Sequence, residues 1–199
     1  MKIAVIGGGI NGLCCAWALA EQGHNITLFE KDHLMDQTSS ASSKLLHGGL
    51  RYLEQLEFKL VRESLQERRW WLDHAHHLTR RLPIIYPLYQ QSRSRWKLKI
   101  GLMMYDLLAG KKGIGRHRWL TAKQVQRCSP SLLQKGLKGG YLFFDGQMDD
   151  KALGLWVADR CIKLGVDIRE LSPIKKIAEE GRLETTKDSL NFDRIINVA

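Results

Sequence analysis

Gly7-Gly8-Gly9-Ile10-Asn11-Gly12 constrains this chain more than any other segment, because it joins a wholly apolar run, Ile3-Ala4-Val5-Ile6, to a helical pattern. A strand apolar at every position is buried on both faces, as in a parallel sheet, and residues 2–7 read as such a strand. Residues 11–22 carry Leu13, Ala16, Trp17 and Ala20 at helical spacing, and Gly23 supplies the stop. Residues 25–30 form a second strand, so a βαβ unit closes within about 30 residues. In that setting the glycines have a mechanism. Gly7 allows the tight turn, Gly9 lets backbone approach a pyrophosphate, and Gly12 permits close helix–strand packing, with Asn11 in the helix's first turn. Glu30 ends the second strand 18 residues after Gly12, where a carboxylate accepts ribose hydroxyls.

Composition sets outer bounds. A chain of 199 residues with 44% hydrophobic and 26% charged content is ordinary for a globular protein, which excludes disordered and fibrous classes. No run of about 18 apolar residues occurs and the apolar opening runs into glycines, so neither a membrane span nor a secretory leader is read. A cytoplasmic setting is expected. Cys14, Cys15, Cys128 and Cys161 show no C-x-x-C spacing and are expected to be buried free thiols. The net charge of +10 is concentrated, since residues 91–118 hold eight Lys or Arg against one Asp. Such a patch suits an anionic partner, whether lipid, nucleic acid or phosphorylated substrate. Within it, Trp96, Ile100, Met103, Met104 and Leu107 fall on one helical stripe beside Arg93, Arg95, Lys97 and Lys99. That stripe suits a helix lying in a membrane interface and, equally, one packed on a core.

After Glu30 a nicotinamide-binding domain would continue with another βα unit, and this chain offers hydroxyls and flexible backbone instead. Thr38, Ser39, Ser42 and Ser43 can donate to phosphate or flavin polar atoms, and Gly48-Gly49 lets the chain pass close to a flat ring. That selects FAD over NAD. Further on, residues 58–74 read as an amphipathic helix with Val61, Leu65, Arg68 and Leu72 on one face. Pro83 and Pro87 enforce extended chain, and residues 96–108 are helical again. Thr121 with Gln124 reads as a capping box of a short helix that Pro130 ends. A strand is expected over 139–145 and a helix over 150–164, with Asp149 and Asp150 as its N-cap and first-turn residues. Strands follow near Val166, Ile174, Leu183 and Ile195.

The stretch Ser39-Ser40-Ala41-Ser42-Ser43-Lys44-Leu45-Leu46-His47-Gly48-Gly49-Leu50-Arg51-Tyr52-Leu53-Glu54 closely resembles the flavin-contacting signature of the respiratory, FAD-dependent glycerol-3-phosphate dehydrogenases. The likeness continues through Phe58-Lys59-Leu60-Val61-Arg62-Glu63, Glu67-Arg68, Gly101-Leu102-Met103-Met104-Tyr105-Asp106 and Asp149-Asp150. Gln37, where the family has a small residue, and His76, where it has proline, depart from the pattern outside the signature. That family sits in the glutathione-reductase-like superfamily that also holds D-amino-acid oxidase. The resemblance implies an α/β fold, a Rossmann-like FAD-binding domain interleaved with part of a substrate domain. Segments 1–80 and 146–199 would form the first, and 81–145 the second.

The same resemblance implies oxidation at C2 of sn-glycerol 3-phosphate to dihydroxyacetone phosphate, hydride passing to flavin N5 and electrons to a membrane quinone. Residue by residue, it implies that Gly7, Gly9, Asn11, Gly12, Glu30, Thr38, Ser39, Ser43, Lys44, Leu45, His47, Gly48, Gly49 and Ile174 serve FAD. Arg51 and Tyr52 would face the substrate, and an arginine suits a phosphate dianion because its planar fork gives paired charge-assisted hydrogen bonds. The family's catalytic base, remaining substrate residues and last flavin-contacting glycine motif are expected beyond residue 199, so little turnover is expected of these residues alone. Peripheral contact with the inner face of the cytoplasmic membrane and a homodimer are further expectations.

Other readings stay open at this point. An amine or amino-acid oxidase on the same fold would also need FAD and a substrate-binding arginine, but the His47 to Leu53 stretch favours the phosphate enzyme. A truncated FAD-binding fragment without activity is a third reading. A nucleic-acid-binding module would explain the charge but leaves the glycine loop idle, and no such partner is expected. His74, His76 and His77 are spaced too closely to share one helix face, so no metal is expected.

Overall fold

The computed structural model describes residues 1–92, 94–178 and 181–199, so Arg93 of the basic stripe lies outside the described residues. In chain order the elements are β1 (Lys2–Ile6), α1 (Ile10–Glu21), β2 (Asn25–Phe29), β3 (Leu45–Leu46), α2 (Phe58–His74), β4 (Thr79–Tyr89), α3 (Arg95–Ala109), β5 (Arg118–Thr121), α4 (Ala122–Cys128), β6 (Leu137–Met148), α5 (Asp150–Lys163), β7 (Asp167–Arg169), β8 (Ile174–Ile177), β9 (Arg182–Thr185), β10 (Ser189–Asn191) and β11 (Arg194–Asn197). They group into two compact units, Met1–Lys44 with Asp149–Ala199, and Leu45–Met148. Residues 45–80, assigned by sequence to the first cofactor-binding segment, pack within the second unit, where Val61 and Leu65 of α2 share a core with Tyr105 of α3.

The first unit is built on a parallel sheet of order β11-β1-β2-β7. Ile3, Ala4 and Val5 are all buried, the two-sided burial that the unbroken apolar run of β1 predicts, and Ile26, Leu28 and Phe29 of β2 are buried beside them. α1 packs against α5, with Trp17 and Trp156 edge to face at 5.8 Å. A side chain at Gly154 of α5 would overlap Met35, which takes that space. A three-stranded antiparallel sheet, β10-β9-β8, adds Leu183 and Phe192 to a core with Ala4 and Phe29. Gly23 and Gly165 follow α1 and α5 with φ of +80° and +81°, the left-handed stops expected there.

The cysteines need correction. None of the four is in a disulfide, but Cys161 alone is buried, its thiol pushed up to about 11 by burial and by neighbouring Cys14. Cys14 and Cys15 are half-buried, and Cys128 is exposed because α4 turns Val125 to the core and ends at the surface.

In the second unit an antiparallel sheet runs β3-β6-β4, and β5 also pairs with β6. β4 lies at the sheet's edge, where prolines such as Pro83 and Pro87 are tolerated. α2 buries Val61, Leu65 and Arg68, and Leu102 of α3 joins Leu88, Tyr141 and Phe143. Thr121 and Gln124 form both bonds of the capping box.

The serine-rich loop before Leu45 has no core of its own, and Asp150 holds it. Asp149 caps α5 by accepting the Ala152 N–H at 3.1 Å, as its position predicts. Asp150 does more than sit in the first turn. It is 3% exposed, accepts the Ser42 N–H at 3.2 Å and the Ser42 hydroxyl at 2.9 Å, and its other oxygen lies 3.7 Å from Lys44 Nζ. Burial pushes this carboxyl up, but the Ser42 and Lys151 donors and the Lys44 charge outweigh it and hold the group below the usual carboxylate value. A depressed carboxylate stabilises above its unfolded pKa, about 3.9, and that contribution is lost as pH falls through the lower folded value. Asp150→Ala should therefore speed amide hydrogen exchange at Ser42 by at least about tenfold at neutral pH, since bonds to a charged group contribute roughly 1.5–3 kcal/mol each. Unchanged protection in that variant would show the loop is held otherwise.

Candidate functional site

In the first unit the glycine loop runs from β1 into α1 and is shaped by sterics. A Cβ at Gly12 would overlap the Gly7 carbonyl oxygen, and Gly7 itself has φ of +113°. A Cβ at Gly9 would meet only the Ser39 hydroxyl, 2.6 Å away. Gly9 is the N-cap of α1 and provides no side-chain cap, so the first-turn amides face outward as the orphan donors of a helix start. One of them, the Ile10 N–H, is taken at 3.1 Å by Ser39 Oγ, while Asn11 beside it is exposed. This is a cradle without side chains at the positive end of a helix, and it fits a dinucleotide pyrophosphate.

Glu30 has a role the spacing did not reveal. Its buried carboxylate accepts the Gly8 N–H at 2.6 Å through one oxygen and the Asp32 N–H at 2.9 Å through the other. Each oxygen keeps a lone pair for a ribose hydroxyl, but the carboxylate also ties the loop to the end of β2. Gly8 belongs to this arrangement too, because a Cβ there would lie 2.6 Å from Leu34 Cδ2. Of the remaining predicted cofactor residues in this unit, Thr38 and Ser39 lie in a short 3₁₀ turn, Ser43 and Lys44 are exposed, and Lys44 has φ of +57°. Ile174 sits in β8 and packs against the Phe29, Leu183 and Phe192 core.

In the second unit, Leu45 and Leu46 pair with β6, His47 is exposed with its ring 6.5 Å from that of Tyr52, and Gly48 and Gly49 are buried. Gly49 has φ of +77° and opens a 3₁₀ turn, Leu50–Gln55, that carries Arg51 and Tyr52. Arg51 and Lys97 line one cavity of about 1160 Å³, walled by Leu53, Leu56, Phe58 and Met104. Glu54, Tyr86 and Ser94 also line it, so two cations face one carboxylate, and the net positive charge suits an anionic group on a small ligand.

Behind Gly48 lies a group that sequence reasoning did not assemble. Asp145 accepts the Gly48 N–H at 2.9 Å and pairs with Arg68 Nη1 at 2.8 Å, and Arg68 also donates to the Tyr105 hydroxyl at 2.9 Å. The signal was an arginine on the apolar face of α2, which had no solvent to meet. Burial, with the Asp145 charge beside it, drives the Tyr105 phenol well above its ordinary pKa. Among the described residues no three His, Cys, Asp or Glu side chains come together as metal ligands, and His74 stacks on Trp70 instead.

The sequence profile of the FAD dependent oxidoreductase family matches residues 2–199. A glycerol-3-phosphate dehydrogenase of Synechocystis sp. is 46% identical over 148 residues, covering 74% of this chain and 27% of that protein. A D-erythritol 1-phosphate dehydrogenase of Brucella abortus is 38% identical over 187 residues, covering 93% of this chain and 37% of that protein. The chain thus spans about a third of the length of the relatives it matches. Among solved structures, the glycerol-3-phosphate dehydrogenase from Bacillus halodurans complexed with FAD aligns with a TM-score of 0.74 at 20% identity, over 100% of this chain and 34% of that one, a likeness of fold. With its whole length after Met1 matched and a glycine cradle of the required shape, the chain belongs to the FAD-dependent oxidoreductase family.

Proposed function

We propose that these residues are part of a flavoenzyme that oxidises C2 of sn-glycerol 3-phosphate to dihydroxyacetone phosphate and passes the electrons to a quinone. The observation that supports the substrate class is the excess of positive charge in one cavity lining, Arg51 and Lys97 against Glu54. Bound FAD supplies the two-electron acceptor. The chain's own part is binding: α1's first-turn amides, the Ser39 hydroxyl and Glu30 for the dinucleotide, Leu45, His47, Gly48, Gly49 and Ile174 for the rest of the cofactor, and Arg51 with Tyr52 for the substrate. Interleaved cofactor-binding and substrate segments, 1–80 and 146–199 against 81–145, are the corresponding domain reading. A longer phosphorylated polyol is a second reading, favoured by the Brucella relative. The ratio of rates with glycerol 3-phosphate and erythritol 1-phosphate separates the two.

Peripheral membrane contact at the cytoplasmic face belongs to the same proposal. Among the described residues no helix is long and apolar enough to cross a membrane, but α3 exposes Trp96, Ile100, Met103 and Leu107 beside Arg95, Lys97 and Lys99. A basic amphipathic face of this kind suits an anionic lipid interface.

Three outcomes test these readings. Gly9→Ala should fold normally yet lose FAD, because its methyl meets only the tip of Ser39 and would occupy the pyrophosphate's approach, whereas Gly12→Ala should damage the fold by driving into the Gly7 carbonyl. Full FAD retention in a folded Gly9→Ala protein would remove the loop from the cofactor site. In a protein of the relatives' length, Arg51→Ala should raise the glycerol 3-phosphate concentration needed for half-bleaching of the flavin by at least about tenfold. Arg51→Lys should recover part of that, and an equal loss with glycerol would assign Arg51 to the fold. Finally, binding to vesicles containing phosphatidylserine should weaken when Arg95, Lys97 and Lys99 become Gln; unchanged binding would count against the α3 interface.

A further inference from the structure

Arg68, Tyr105 and Asp145 are each at most 4% exposed, and they converge on one carboxylate oxygen. Asp145 Oδ1 receives Arg68 Nη1 at 2.8 Å, the Gly48 N–H at 2.9 Å and the Tyr105 hydroxyl at 3.3 Å. The Tyr105 oxygen meanwhile accepts from Arg68 Nη1 at 2.9 Å. A phenol has one proton, so accepting from Arg68 while donating to Asp145 fixes the direction of the hydroxyl; Arg68 Nη1 also reaches the Phe144 carbonyl at 3.2 Å, and the Gly146 N–H reaches the same carboxylate oxygen at 3.3 Å. An ion pair this dry is a poor way to stabilise a fold, since apolar replacements of similar volume often do as well. Direction is what it specifies.

The peptide that this direction controls joins His47 to Gly48. It is trans and planar, so with the Gly48 N–H held on Asp145 the His47 carbonyl points the opposite way, out from the buried carboxylate. Gly48 cannot drift, because even a Cβ there would overlap the Tyr105 hydroxyl and Leu65. We propose that Arg68, Tyr105 and Asp145 are positioning residues that hold the His47 carbonyl as an acceptor for a ring N–H of the flavin, and thereby make the bound flavin harder to reduce. The proposal rests on the reading that residues 47–49 meet the flavin ring. A carbonyl presents the negative end of its dipole, which disfavours the electron-rich reduced ring. Releasing the peptide should therefore make reduction easier.

The test is the reduction potential of FAD bound to the protein, measured by equilibration with a reference dye in the parent, Tyr105→Phe and Asp145→Asn. Tyr105→Phe keeps the ring and removes one hydroxyl, and Asp145→Asn keeps the size and removes the charge. At a fixed dye ratio, reduced over oxidised flavin should rise by at least about tenfold in Asp145→Asn, which for a two-electron couple is about 30 mV, and in the same direction by less in Tyr105→Phe. A variant that keeps FAD with an unchanged potential overturns the proposal, and if Asp145→Asn does not fold, Tyr105→Phe decides. A parent protein that retains no FAD overturns instead the cofactor reading on which the proposal stands.

Discussion

The start of α1 lies so close to the end of β1 that no side chain fits between Gly12 and the Gly7 carbonyl. That contact aims the first turn of a helix, with its orphan amides, past the carboxyl end of β1, an interior and buried strand of a parallel sheet. Glu30 secures the arrangement from β2 by binding the Gly8 amide, and Ser39 occupies one of the amides from the loop that follows. Everything assigned to the dinucleotide follows from this one approach of helix to strand.

The second unit solves a different problem, that of holding an irregular glycine segment in one conformation. Gly48 and Gly49 have few side-chain contacts to offer, and the left-handed backbone of Gly49 carries an entropic penalty on ordering. A buried carboxylate shared among a backbone amide, a guanidinium and a phenol imposes the conformation instead. Asp150 does the same for the serine-rich loop of the first unit. Both loops are thus tied by carboxylates that are themselves out of water.

The elements were legible in the sequence wherever a local pattern decides. The apolar run of β1, the spacing of Val61, Leu65 and Arg68 along α2, the Thr121–Gln124 box and the Asp149 cap are each written within a few residues. The ties between distant residues were not. Gly48 and Asp145 are 97 residues apart, Arg68 and Asp145 are 77, and Ser42 and Asp150 are 108. No periodicity links such pairs, and a lone Asp at the end of an apolar strand reads the same whether it faces water or an arginine. Glu30 shows the intermediate case, since its spacing from Gly12 marked the end of β2 while its hold on Gly8 appeared only with the backbone in view. That residues 45–80 pack with the second compact unit was not legible either, because the packing of α2 with α3 is a tertiary choice.

The account stands or falls on the glycine cradle as the site of a dinucleotide pyrophosphate. Equilibrium binding of FAD to the purified protein, followed by the change in flavin fluorescence, tests it most directly when repeated with ADP and with riboflavin as competitors. ADP carries the pyrophosphate and adenosine half, and riboflavin carries the ring without either. The account predicts saturable binding of one FAD per chain that ADP displaces far better than riboflavin; displacement by riboflavin alone, or no saturable FAD binding, would contradict it.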